Sequence, residues 1–216
     1  MDSLIHSLRD ITIRRISVSE MNNNVYLLTA KASGAQLLID AADDLPAIQT
    51  MLAESAADTG SVPRLALIAT THQHWDHVRA LPGLVEVTGA KTSAGVEDAA
   101  ALPVPVDVPL HHGDVGNFDG FDISAVHLRG HTPGSIAYVY LDPEGPAHIF
   151  SGDSLFPGGV GNTQNDATRF TSLLNDVSER LFEAYPDDTV VHPGHGDPTT
   201  LGAERPHLAE WRERGW

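Results

Sequence analysis

Along the chain, apolar positions fall into short alternating runs, broken by a few stretches with helical spacing. Residues 11–18 (Ile-Thr-Ile-Arg-Arg-Ile-Ser-Val), 25–30 and 35–40 read as short strands, with turns at 21–24 and at Ser33-Gly34. Pro46 opens a predicted helix in which Ile48, Met51, Leu52 and Ser55 keep helical spacing, with Gly60 beyond its end. The compact apolar run 65–69 is expected to be a strand buried on both faces. A polar, histidine-rich loop follows, then a short helix predicted to end near Pro82-Gly83 and a weak strand at 91–94. Residues 103–113 hold three prolines and no clean period. Strand signals return at 121–126, 135–141 and 147–150. Phe170, Leu173, Leu174, Val177, Leu181 and Phe182 form a core-facing helical stripe within 168–185, followed by a short strand at 189–192 and a terminal helix at 203–216. Strands outnumber helices, and single helices separate the strand clusters. That pattern implies an α/β or α+β sandwich with sheets inside and helices outside. No repeat, low-complexity tract or linker marks a boundary, so a single domain over 1–216 is expected.

Composition narrows the function classes. Hydrophobic residues make up 41% of the 216, enough for a globular core. No apolar run approaches the roughly 18 residues of a membrane span, and Met1-Asp2-Ser3 lacks a signal peptide's layout. A soluble, cytoplasmic protein is the expectation. Thirteen Lys+Arg against 29 Asp+Glu give a formal charge of −16. Such a field repels phosphate backbones and anionic lipid, and the two lysines and eleven arginines do not cluster. The expected partner is therefore a small-molecule substrate, with neither nucleic acid nor membrane, and the oligomeric state stays open. Cysteine is absent, which excludes disulfides and thiolate chemistry. Histidine, at 12, is the anomaly, since imidazole is the commonest metal ligand.

The histidines fall where a site would be. After the buried strand comes Thr71-His72-Gln73-His74-Trp75-Asp76-His77. His72 and His74 are two apart, so in an extended segment they point to one side and can chelate one ion. Asp76 and His77 stand where the backbone turns, which can aim them at a second ion. Three further candidates sit in Gly-rich turns at strand ends: His131 in Gly130-His131-Thr132-Pro133-Gly134-Ser135, Asp153 in Ser151-Gly152-Asp153-Ser154, and His195 in Pro193-Gly194-His195-Gly196. Imidazole suits zinc or iron, and a bridging carboxylate also accepts manganese.

The motifs T-H-x-H-x-D-H, G-H-T-P-G-S, S-G-D and P-G-H-G, in that order, resemble the metallo-β-lactamase superfamily. The resemblance runs from Asn22–Leu28 to 198–200. Within the superfamily the chain is most similar to the glyoxalase II-like group, through the segments around Asp153 and His195. It implies a four-layer αββα sandwich with a dinuclear metal site at one edge of the paired sheets. It assigns His72, His74 and His131 to the first metal and Asp76, His77 and His195 to the second, with Asp153 bridging. Two divalent ions are implied, zinc first, with iron or manganese as alternatives. The implied activity is a hydrolase that uses a metal-bridging hydroxide on a small thioester of the hydroxyacylglutathione type, with Asp76 orienting the nucleophile. Asp40 matches a family aspartate that supports a histidine. The alternatives are a mononuclear-iron persulfide dioxygenase and a β-lactamase-type hydrolase. A nuclease is opposed by the charge, and a purely structural zinc module by a ligand set with room for water.

Two departures bear on the substrate. Only 21 residues follow His195 (216 − 195), whereas glyoxalase II carries a further helical domain with basic residues for glutathione. After Asp153 the related group reads G-R-T-D where this chain has Gly161-Asn162-Thr163-Gln164. Of the remaining residues, His127 and His192 are read as structural or solvent-facing, His111-His112 as a surface turn, and Trp75 as either pocket wall or packing. Arg205, Arg212 and Arg214 are read as a solvated helix face rather than an anion clamp.

Overall fold

The alternation of the first strands continues into two packed sheets. The computed structural model describes residues 3–215. The first sheet runs, in spatial and chain order, through β1 (Leu4–Ser7), β2 (Ile11–Val18), β3 (Asn23–Ala30), β4 (Ala35–Ile39), β5 (Arg64–Ala69), β6 (Lys91–Gly95) and β7 (Val108–Leu110). Pairing is antiparallel up to β4 and parallel from β4 to β7. The second sheet is built from β8 (Val115–Asn117), β9 (Asp122–His127), β10 (Ile136–Tyr140) and β11 (His148–Gly152). A small hairpin, β12 (Leu155–Phe156) and β13 (Gly159–Val160), leaves that sheet, and β14 (Val190–Pro193) and β15 (Thr199–Thr200) complete it beside β11. The helices are α1 (Leu45–Glu54), α2 (Leu81–Thr88), α3 (Ala167–Val177), α4 (Leu201–Glu204) and α5 (Leu208–Arg214).

Strand periodicity sorts the core into three layers of side chains. In β3, Tyr26 and Leu28 join Leu37, Phe121, Ile123, Tyr138 and Phe150 between the sheets. Their neighbours Val25 and Leu27 face the other way, onto Ile48 and Met51 of α1 and Leu81 and Leu84 of α2. On the outer face of the second sheet, Val139, Ile149 and Val191 meet Phe170, Leu173, Leu174 and Val177 of α3 and Trp211 of α5. The architecture is a four-layer αββα sandwich, as the family resemblance implies. At roughly 1.5–3 kcal/mol per buried large apolar side chain, these layers supply the main driving force of the fold.

Four details differ from the sequence reading. The helix after the histidine-rich loop does not end near Pro82-Gly83 but begins at Leu81, with Pro82 in its first turn, where proline's missing N–H costs nothing. A strand at Leu4–Ser7 was not foreseen, and β7 and β8 occupy or border the proline-rich stretch as short, mostly exposed strands. The long helix at 168–185 is α3 followed by a wider turn over Ser178–Phe182. The terminal helix is broken by a tight turn at Arg205–His207 around Pro206, so α4 and α5 are separate. Among the described residues no helix is long and apolar enough to cross a membrane.

The two sheets touch at one end. Thr71, just past β5, accepts from the Ile136 amide (2.8 Å), and Tyr138 donates its hydroxyl to the Thr70 carbonyl (2.9 Å). At the other strands, Tyr26 donates to the Pro193 carbonyl (2.7 Å) and the Asn24 amide to the Gly194 carbonyl (2.8 Å). The loops that follow β4, β5, β11 and β14 therefore converge over one edge of the sandwich, where α/β folds place their sites.

Candidate metal centre

The first segment of the centre follows from the end of β5. The chain stays extended through His74 (φ −64°, ψ 140°), then makes a single tight turn over Trp75–His77. The turn buries Asp76 and His77 and leaves Trp75 59% exposed. His131 arrives from the turn between β9 and β10, Asp153 from the end of β11, and His195 from the end of β14. All seven sequence-predicted residues come together. His72, His74 and His131 present donor atoms within 4.8 Å of one another, as do His72, His77 and Asp153, and Asp76, His77 and His195.

Asp153 stands between the groups. Its Oδ2 lies 3.5 Å from His131 Nε2 and 3.9 Å from His72 Nε2. Its Oδ1 lies 3.3 Å from His77 Nε2 and 3.6 Å from His195 Nε2. One carboxylate oxygen thus faces each half, which is the disposition of a bridging ligand. Asp76 Oδ2 lies 3.3 Å from His195 Nε2 and 3.6 Å from His77 Nε2. Nitrogens on one tetrahedral ion at about 2.1 Å would stand roughly 3.4 Å apart, so these separations suit a shared cation.

The hydrogen bonds sort the ring nitrogens. The Nδ1 atoms face outward onto partners: His72 onto Thr71 Oγ1 (3.0 Å), His77 onto Asp40 Oδ2 (2.9 Å), His131 onto the Asn162 carbonyl (2.9 Å) and His195 onto the Met21 carbonyl (2.9 Å). Thr71 is itself oriented by Asp40, which accepts from its amide (2.7 Å) and hydroxyl (2.8 Å). In His72 and His131, proton donation outward leaves the Nε2 lone pair pointing inward. His72 Nε2, His131 Nε2 and Asp153 Oδ1 are buried with no hydrogen-bond partner. Buried acceptors are left bare only at a cost of about 1–3 kcal/mol each, which a bound cation removes. The donor set fits metal ions.

The electrostatics divide the rings. Burial, then the neighbouring His77, holds His72 well below the ordinary imidazole value, and burial also lowers His131. Both rings therefore stay neutral and able to ligate. Burial opposes charge on His77 too, but the Asp40 and Asp153 carboxylates outweigh it and push that ring up to about 10. Asp153 is held far below the usual carboxylate range, because its contact with His77 overcomes the opposing effect of burial. Backbone must come very close for this to fit: a Cβ on Gly194 would stand 2.4 Å from Asp153 Oδ1 and 2.7 Å from His77 Cε1. Only glycine is tolerated there.

Sequence reasoning missed Asn23, the first residue of β3. Its amide donates to Asp76 Oδ2 (3.0 Å) and lies 3.4 Å from His195 Nε2. An asparagine beside two others in a turn-like stretch gave no signal of this. Trp75 is exposed, with the Arg79 guanidinium 3.9 Å over its ring and Arg79 paired to Asp43 (2.8 Å). His127 donates to the Pro133 carbonyl within the His131 turn (2.8 Å), and His111 and His112 are exposed. Arg205 is bound to Asp187 and Arg212 to Asn175, while Arg214 donates to the Gly158 carbonyl. Two grooves share Phe156 as a wall. One, of about 330 Å³, is lined by Asp153, Pro157, His195 and Asp197; the other, of about 350 Å³, by Gly161, Asn162, Thr163 and Asn165.

Comparison with known proteins places the chain in a family. A hydroxyacylglutathione hydrolase of Cereibacter sphaeroides is 34% identical over 174 residues, covering 81% of this chain and 62% of the relative, so the chain spans less than two thirds of that protein's length. The solved structure of TTHA1623 in a di-iron-bound form is 32% identical, with a TM-score of 0.69 over 88% of this chain and 96% of the other. The BLEG-1 B3 metallo-β-lactamase structure is 26% identical, with a TM-score of 0.76 over 92% and 99% of the two chains. The family model described as the Metallo-beta-lactamase superfamily matches residues 18–195, from the end of β2 to the last histidine of the centre. This chain belongs to the metallo-β-lactamase superfamily.

Proposed function

We propose that the chain is a dinuclear metal-dependent hydrolase acting on a small thioester of the hydroxyacylglutathione class. The observation that carries the reading is the inward, partnerless set of His72 Nε2, His131 Nε2 and Asp153 Oδ1, set against the outward Nδ1 atoms of the same two rings, which are both tied. His72, His74 and His131 would hold one ion, Asp76, His77 and His195 the other, and Asp153 would bridge. Five imidazoles without a thiolate suit zinc, with iron or manganese as alternatives. Two divalent cations held there would acidify a water and polarise an acyl oxygen.

The protein's own groups supply the rest. Asp76 has Oδ2 fixed by Asn23, which leaves Oδ1 to accept a proton from the attacking water and aim it. Asp40 fixes His77 through Nδ1 and keeps Nε2 the electron-rich nitrogen. A thioester has two arms on either side of its carbonyl, and the groove lined by Asp153 and His195 can take one of them. A thiolate leaves readily without a strong acid, so an activated water suffices as nucleophile. The relatives named hydroxyacylglutathione hydrolase support this substrate class.

The test is hydrolysis of a hydroxyacylglutathione thioester by zinc-reconstituted protein. Turnover well above the metal-free control, abolished in His131→Ala, is the expected result. No thioester cleavage, together with stoichiometric O₂ uptake on a persulfide, would overturn the hydrolase reading in favour of the dioxygenase.

A further inference from the structure

Asp98 follows β6, in a Gly-Val-Glu-Asp stretch that resembles an ordinary surface turn, yet its side chain is fully buried. Three donors satisfy its carboxylate, and they come from two different segments. Oδ2 accepts from the Gln73 amide (3.0 Å), which lies between His72 and His74. Oδ2 also accepts from the Thr132 hydroxyl (2.5 Å), and Oδ1 from the Gly134 amide (2.7 Å), both in the turn that carries His131. The contact is close enough that a Cβ on Gly134 would stand 2.9 Å from the Asp98 carboxyl carbon. From the opposite side Arg169 of α3 donates to the Gly130 and His131 carbonyls. The His131 turn is therefore gripped between a carboxylate that takes its donors and a guanidinium that fills its acceptors. His77 and His195 have separate supports, Asp40 and the Met21 carbonyl.

We propose that Asp98 is a positioning residue for the His72–His74–His131 half of the centre, joining the two segments that carry those rings; the inference rests on the ligand assignment made above. Charge-assisted bonds from buried amides to a carboxylate are among the stronger hydrogen bonds a protein makes, and they fix backbone as well as side chain. An asparagine cannot replace it. Whichever way the amide turns, its NH₂ faces a backbone N–H, that of Gln73 or that of Gly134.

The experiment is a zinc titration of metal-stripped, full-length protein by competition with a chromophoric chelator. His195→Ala and His131→Ala backgrounds isolate the first and second ions respectively. Asp98→Asn is expected to weaken the first ion about 10–100-fold, the usual effect of losing a support behind a ligand. It should change the second by less than about threefold. Thr132→Val, which removes one donor and is the milder fallback should Asp98→Asn fold poorly, is expected to fall between Asp98→Asn and the parent. Thr132→Ser keeps the hydroxyl and should restore parental affinity. A purely structural role would weaken both ions alike and leave Thr132→Ser no better than Thr132→Val; either result overturns the proposal. Two ions in the parent with first-ion affinity unchanged in Asp98→Asn removes this inference alone. Fewer than two ions in the parent removes the ligand assignment and this inference together.

Discussion

The molecule contains two histidine clusters, and they are built in opposite ways. In the candidate metal centre, Nδ1 atoms are tied to Thr71, Asp40, Asn162 and Met21, the inner nitrogens of His72 and His131 are bare, and those of His77 and His195 lie 3.2 Å apart beside the Asp153 carboxylate. In the second cluster, at a corner of the sandwich, His6 of β1 meets His148 of β11 and His192 of β14. There the inner nitrogens are tied to each other: His148 Nδ1 and His192 Nε2 lie 2.9 Å apart, in rings 9° from parallel. The outer atoms, His148 Nε2 and His192 Nδ1, are the ones without partners. That hydrogen bond engages the two nitrogens that face each other, no carboxylate lies among the three rings, and no outer partner fixes either tautomer. His192 also stacks on Phe150 at 4.8 Å, as an aromatic core residue would. Histidine density alone does not mark a metal site. What marks it is which nitrogens the protein satisfies and which it leaves for a ligand.

This contrast can be broken by experiment, and the largest effect should come from the centre. Asp153→Ala removes the carboxylate that faces both halves, so both ions should be weakened in a metal titration. Hydrolysis should fall about a thousandfold, in line with the several kcal/mol that a catalytic ion contributes. Retention of both ions at parental affinity would contradict the bridging role. The next effect belongs to the corner. Burial, then His6, pushes His148 down to about 4 from the 6.5 of an unfolded chain. Between those values the unfolded state binds a proton that the folded state refuses, so stability rises with pH there. The contribution is complete above pH 6.5 and is lost as pH falls toward 4, by about 3 kcal/mol. Chemical denaturation in chelator should show that acid loss in the parent and a correspondingly smaller one in His148→Phe; equal slopes would refute the buried-neutral reading. Within the centre, Asp40→Asn should weaken the ion held by His77 about 10–100-fold, measured in the His131→Ala background. The smallest expected effect is that of His6→Ala, which should leave zinc stoichiometry unchanged. Loss of one equivalent would make the corner a third metal site and end the comparison.

How much of this could be read from sequence depended on how local each signal was. His72, His74, Asp76 and His77 were legible because a strand end and a single turn decide where they point. His131, Asp153 and His195 were legible only as a set, through their shared placement in glycine turns at strand ends. The α3 stripe declared itself by its period. The start of α2 did not, because Pro82-Gly83 reads equally well as a terminator or as a first turn, and packing of Leu81 and Leu84 onto the sheet decides it. β1 hid because an edge strand of four residues with half-exposed positions has almost no pattern. Asn23 and Asp98 act across 53 and 25–36 residues of sequence, and only the meeting of the sheets gives either a partner. His148 and His192 looked like two unrelated histidines, since the pairing of β11 with β14 is what aligns them.

The central claim is that the seven residues form one centre for two ions, and the most direct measurement is the number of zinc ions bound per chain after reconstitution and removal of excess metal. Two are expected for the parent and one for His131→Ala, with no third equivalent at the corner. A parent that holds a single firmly bound ion, or a His131→Ala protein that still holds both, would contradict it.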